Sequence, residues 1–157
     1  MKFRYAKRIG ALAMAGVMAA GMLTGCGKKT ETNANGEEIV ELTWYQVGDA
    51  QADDDEVFEE VNNYLADKIG VKLDVVKVGW GDYNQKMQVV INTGDKWDLC
   101  FTCSWTNDYL QNAQKGAFLE LDDLLQTEGK EMYDKIDPRF WEAAKVGGVT
   151  YGVPSEK

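Results

Sequence analysis

The sequence contains no histidine. The commonest metal ligand and the usual general base at neutral pH are therefore missing. Basic side chains are scarce and unevenly placed. The chain of 157 residues has 17 Lys and Arg against 26 Asp and Glu, a net charge of -9. Lys2, Arg4, Lys7 and Arg8 sit at the very start, and without them 13 basic face 26 acidic side chains, or -13. A chain this acidic is repelled by phosphates, so nucleic acid is not an expected partner. Cysteines number three. Cys100 and Cys103 form one C-x-x-C, with no second pair and no histidine to complete a zinc site. Cys100 falls in an apolar stretch, where cysteine behaves as a small hydrophobe. Two unpaired thiols are the expectation, with a local disulfide as the alternative. The acidic run Asp53-Asp54-Asp55-Glu56 lacks the spacing of an EF-hand loop and reads as a solvated helix start. No cofactor or metal is expected. Many carboxylates are present, but nothing singles out a catalytic pair, so the chain is not read as an enzyme.

The N-terminus carries a pattern. Residues 2–8 are basic, and Ile9 to Leu23 are apolar or small. These are the n-region and h-region of an export signal. The apolar run falls short of the ~20 residues of a spanning helix. It ends in Leu23-Thr24-Gly25-Cys26, which resembles the bacterial lipobox. That resemblance implies cleavage after Gly25 and a diacylglyceryl group on Cys26, a two-chain anchor that holds better than one chain. The plain alternative is an ordinary cleaved signal with a chance cysteine. Residues 26–38 are almost wholly polar and read as a tether. The expected division is therefore 1–25 signal peptide, 26–38 tether and 39–157 folded lobe.

From Ile39 the hydrophobic period alternates between two and 3.6. Ile39 to Tyr45 reads as a strand. Val57, Phe58, Val61, Tyr64 and Leu65 mark a helix stopped by Gly70. Val71 to Val78 reads as a second strand. Asp82 and Gln85 resemble a capping box ahead of the stripe Tyr83, Met87, Val90, Ile91. Trp97 to Phe101 is short and apolar, the signature of a strand buried on both faces. Strands joined through helices form a parallel sheet with right-handed crossovers, here an α/β sheet covered on both faces. Beyond it, helices are expected at Tyr109–Lys115, around Leu121, Leu124 and Leu125, and after Asp137-Pro138. Gly147-Gly148 is a two-residue hairpin signal, with Val149 to Val153 as the returning strand.

Several blocks fall in an ordered series: Gly79-Trp80-Gly81-Asp82-Tyr83, Asp98 to Trp105, Lys115 to Leu125, Phe140 to Lys145, and Gly147 to Pro154. Behind a lipobox, they resemble extracellular solute-binding proteins of the family 1 type, in particular the LipO-like lipoproteins of Gram-positive bacteria. The resemblance covers nearly all of 39–157. It implies a periplasmic-binding-protein-like (type II-like) fold of two α/β lobes with ligand in the cleft between them. Family chains are much longer, so this chain is read as an incomplete first lobe. The resemblance also implies an ABC importer, permease subunits as partners, a lipid-anchored monomer on the outer face of the membrane, and a carbohydrate or oligosaccharide as ligand. A surface sensor or adhesin, or a binder of a non-sugar solute, is the alternative.

In open α/β sheets ligands sit beyond the carboxyl ends of the strands. Three loops lie there. The first holds Tyr45, Gln46, Gly48 and Asp49, the second Trp80, Gly81, Asp82 and Tyr83, the third Ser104, Trp105, Thr106 and Asn107. Sugars offer apolar faces to aromatic rings and hydroxyl rims to Asp, Asn and Gln. The ligand candidates are Tyr45, Gln46, Asp49, Trp80, Asp82, Tyr83, Ser104, Trp105 and Asn107, with Trp105 first among them. By resemblance Tyr151 and Pro154 sit near the hinge and cleft. Each has a plainer reading: Trp80 and Tyr83 as staples of the second helix, Tyr45 as core, Asp49 and Asp82 as helix caps. Trp44, Trp97 and Trp141 read as packing residues.

Overall fold

The computed structural model describes residues 31–33, 35–36 and 38–155. The signal segment and Cys26 lie outside the described residues.

Three parallel strands form the sheet. β1 (Val40–Val47) is central, β2 (Val71–Val78) pairs along its whole length, and β3 (Leu99–Cys100) pairs on the other side. The β1–β2 register runs from Val40 opposite Val71 to Val47 opposite Val78. α1 (Asp54–Ile69) connects β1 to β2, and α2 (Tyr83–Thr93) connects β2 to β3. Gly70 and Gly94 close these helices in the left-handed conformation, at φ 64° and 73°. That conformation costs a residue without a Cβ nothing.

The period of two assigns the faces. Tyr45, Val47, Val76, Val78 and Cys100 turn towards α2, which drives Tyr83, Met87 and Val90 into them. These three are wholly buried. α1 lies over the opposite face of β2. There Asn62 exchanges two hydrogen bonds with the Leu73 backbone, at 2.7 and 3.0 Å. Lys77 bonds Asp54 and lies over the Phe58 ring. The Lys77 ammonium holds the Asp54 carboxyl below the usual carboxylate range.

Two expectations need correction. The third strand is two residues long, not five, and it is not buried on both faces. Its Leu99 is 43% exposed. The Asp98 carboxylate, rather than a carbonyl, accepts the Thr43 N–H at 2.8 Å, which ends the ladder there. α1 covers the β2 side of the sheet, so the face of β3 that carries Leu99 stays open. Asp82 forms no capping box either, because its side chain makes no cap bond. Its backbone is already helical, at φ -106° and ψ -18°, whereas a capping side chain needs an extended residue.

Beyond β3 come α3 (Tyr109–Gln114), α4 (Asp122–Gln126), α5 (Lys130–Lys135) and α6 (Pro138–Ala143). Asp137 caps α6 by accepting the Arg139 N–H, with Pro138 next to it. The hairpin of β4 (Lys145–Val146) and β5 (Val149–Thr150) turns on Gly147 and Gly148, at φ 61° and 90°. Both positions of such a turn require positive φ. The returning strand stops at Thr150, short of Val153. Asp122 ties the hairpin down by accepting the Thr150 N–H (3.0 Å) and Oγ1–H (3.1 Å). The Tyr109 hydroxyl donates to Ala144 O (2.6 Å) and accepts from Tyr151 N (3.1 Å). Its ring lies so close to Gly152 that a Cβ there would sit 3.2 Å from Cε2.

Ahead of β1, Thr32 and Glu38 form an antiparallel bridge, and Asn33 donates to Ala66 O. These contacts start from residues of the 26–38 segment, and the second ties it to α1. Among the described residues no helix is long and apolar enough to cross a membrane.

Candidate functional site

The loop after β2 is a tight turn. Gly79 O accepts the N–H groups of both Asp82 and Tyr83 at 3.0 Å. Gly79 leaves room for the Asp49 carboxylate, which a Cβ would meet at 3.0 Å. Trp80 therefore stands out at the carboxyl end of β2, 57% exposed.

The loop after β3 is folded around Asn107. This is the one non-glycine residue with positive φ (47°) among those described, and it is buried. Its Nδ2 donates to Phe101 O at 3.0 Å and contacts Cys100 Sγ at 3.4 Å. Its N–H donates to Asn84 Oδ1 on α2 (3.0 Å), and its Oδ1 accepts from Asn112 Nδ2 on α3 (3.0 Å). Thr102 Oγ1 donates to its carbonyl. One residue thus fastens the loop to β3 and α3 through its side chain and to α2 through its backbone N–H. Asparagine tolerates the left-handed region because its side chain bonds locally. This seating presents Trp105, 66% exposed, beside Trp80. The two indoles stack with centroids 5.5 Å apart and 24° between planes, and Phe101 backs Trp105 at 6.2 Å.

The two large rings form an exposed apolar patch. Next to them a cavity of about 470 Å³ runs between α2 and α3, with Trp105 on its wall. Amides dominate the lining: Asn84, Gln88 and Asn92 from α2, Gln111 and Asn112 from α3.

Burial raises two titratable groups behind these loops. Burial pushes the Cys100 thiol up to about 11, against the pull of the Asn107 amide on its sulfur. Burial likewise raises the Tyr83 hydroxyl above its ordinary value. Cys100 and Cys103 are both free thiols. The arrangement offers flat apolar faces and hydrogen-bonding groups that are mostly amides, with Asp108 and Lys115 as the charged side chains of the cavity lining.

The structure sorts the candidates from the three loops. Trp80 and Trp105 come together, and Ser104 is exposed beside them. Asp49 and Asp82 are exposed in the adjoining loops. Tyr45 and Tyr83 do not join them. Both side chains are core, because Tyr83 faces into the sheet and its hydroxyl reaches Phe101 O (2.8 Å) and Tyr45 O (3.1 Å). Gln46 is not in a loop either. β1 continues to Val47, and alternation turns Gln46 to the α1 side with Lys77. Asn107 is a buried strut that also forms part of the cavity lining. Tyr151 stands against Tyr109 and Glu120, outside the lining of the cavity. Pro154 is half-buried. The amide row of α2 was missed from the sequence, although its i, i+4, i+8 spacing was there to read.

Residues 38–155 match the family described as bacterial extracellular solute-binding proteins. The chain belongs to that family. A carbohydrate ABC transporter substrate-binding protein of Streptococcus pneumoniae serotype 4 is 35% identical over 153 residues, covering 98% of this chain and 30% of that protein. The N-glycan transport solute-binding protein of S. pneumoniae, solved with Man5GlcNAc, superposes with a TM-score of 0.67 at 38% identity over 73% of this chain and 24% of the other. A solute-binding protein of Thermotoga lettingae bound to α-D-tagatose gives 0.57 at 26%, covering 73% and 28%. This extracellular solute-binding protein thus spans about 30% of the length of its S. pneumoniae relative. Its parallel sheet and helices are part of one lobe of the periplasmic-binding-protein fold. The family works outside the cytoplasm, and these relatives are transport proteins rather than enzymes.

Proposed function

We propose that this chain carries part of the ligand site of an ABC importer's binding protein, and that the ligand is a carbohydrate stacked on Trp80 and Trp105. The observation behind this reading is the exposed, stacked indole pair beyond the carboxyl ends of β2 and β3. Sugar rings present C–H faces that fit such a surface, and Ser104, Asp49 and Asp82 supply polar groups around it. The relatives named for carbohydrate transport and solved with glycan support the same class. Permease subunits are the partners this implies, and a single copy suffices for capture.

The test is titration of tryptophan fluorescence with manno- and gluco-oligosaccharides, on this chain and on the longer reading frame that contains it. A saturable change is expected in the longer protein. Trp105→Ala and Trp80→Ala should each weaken binding about tenfold or more, as buried tryptophan anchors do. Wild-type affinity in both variants would remove the indole pair from the site. No response to any sugar would remove the carbohydrate.

We further propose the division into 1–25 signal, 26–38 tether and 39–157 lobe, with Cys26 as the lipidated N-terminus. Exchange of Cys26 for serine is expected to shift the protein from the membrane fraction to the medium. Unchanged membrane retention would rule out the anchor.

A further inference from the structure

The cavity between α2 and α3 is separate from the indole faces but touches them through Trp105. Asn84, Gln88 and Asn92 lie one turn apart along α2, so their side chains form a single row. Gln111, Asn112 and Lys115 face them from α3.

The hydrogen bonds already made decide what is left for a ligand. Asn84 Oδ1 is taken by the Asn107 N–H, which leaves the Asn84 amide hydrogens. The Asn112 Nδ2 is taken by Asn107 O and Oδ1, which leaves the Asn112 carbonyl. Asn84 is exposed, and the Asn112 carbonyl is not buried, since no buried side-chain N or O of the described, non-exposed residues lacks a partner. Gln88 and Asn92 are exposed, and neither side chain bonds another described residue. The wall therefore offers mostly amide donors and acceptors, with Asp108 and Lys115 as its two charged side chains. Asp108 is occupied by Gln111, accepting its N–H (3.0 Å) and its Nε2–H (2.6 Å). Lys115 is a lone cation.

A phosphate or nucleotide site would need clustered cations or bidentate arginine. An apolar ligand would leave the amides unpaired and their desolvation uncompensated. A hydroxyl both donates and accepts, as a carboxamide does, and neither carries charge. At about 470 Å³ the space lies within the usual range for small-molecule sites.

We propose that this groove is a second carbohydrate subsite, holding the part of an oligosaccharide that runs past the indole pair. The inference rests on the carbohydrate reading above and deepens it. Long saccharides should gain affinity from the groove, and short ones should not.

The test compares Gln88→Ala, Asn92→Ala and their combination with wild type in the longer reading frame, using manno- and gluco-oligosaccharides of one to six residues. For chains of four or more residues the double variant should bind roughly three- to tenfold more weakly, the worth of one or two hydrogen bonds. Mono- and disaccharides, held at the indoles, should change less than about twofold. Equal losses for short and long ligands, or none for either, would overturn the subsite while leaving the indole site standing. Absence of binding by every saccharide in wild type would overturn both. Circular dichroism of the variants checks the helix. Both positions are exposed, so unfolding is not the expected cause of a loss.

Discussion

Tyr83→Ala is expected to destabilise the fold by about 3–5 kcal/mol, the usual cost of truncating a buried aromatic ring. That is a large share of the ~5–15 kcal/mol that holds a domain of this size. Tyr83 is wholly buried and is the first residue of α2. Its ring fills the space between helix and sheet beside Tyr45, Met87 and Val90, and it tilts against Phe101 at 6.4 Å. Its hydroxyl also joins the carbonyls of β1 and of the residue after β3, at Tyr45 and Phe101. Tyr83→Phe keeps the ring and loses only that bridge, so about 1–2 kcal/mol should go. Urea unfolding followed by tryptophan fluorescence separates the two variants. Equal effects would mean that the hydroxyl, not the ring, carries the contact.

The same residue gives a pH signature. Its folded pKa is raised by burial, so its contribution is full below the unfolded value of about 10 and is lost as pH climbs above it. Cys100 acts in the same direction, between an unfolded value of about 8.5 and its folded value of about 11. Stability should therefore fall on the alkaline side, and Tyr83→Phe should flatten the part above about pH 10. Tyr109 and Tyr151, also raised, account for a slope that persists.

Asn107→Ala should cost about 2–3 kcal/mol and at the same time weaken ligand capture. The substitution deletes the donor to Phe101 O and the acceptor for Asn112, and it places a Cβ-bearing residue without local side-chain bonds at φ 47°. Asn107→Gly relieves the backbone but not the lost bonds, so it should recover roughly 1 kcal/mol of the loss. Because the loop holds Trp105 beside Trp80, loosening it should reduce the fluorescence change on sugar addition in proportion to the loss of stacking. An alanine variant with wild-type stability would mean that the loop is fixed by its backbone alone.

Different parts of the molecule were legible to different degrees. β2 was readable to its ends because Val71 to Val78 is bounded by glycines, and the α1 and α2 stops were readable because Gly70 and Gly94 supply the left-handed residue. α5 left no comparable mark. Lys130–Lys135 buries no side chain, so it has no apolar stripe to detect. β3 was overestimated because an apolar run does not reveal whether a neighbour covers it. The Asp98 carboxylate that ends its ladder bonds to Thr43, a residue 55 positions away.

By itself the sequence determined the alternation of strand and helix, the parallel sheet and the aromatic loops beyond its strands. All of these rest on local periodicity, on glycine and on composition. Only the tertiary structure decided which aromatics stand open to water and which meet the core. Tyr83 and Trp80 are three residues apart, yet the start of α2 turns one inward while the tight turn at Gly79 leaves the other outside. The pairing of Trp80 with Trp105, and the amide row opposite α3, depend on two crossovers bringing distant segments together. No local pattern records that distance.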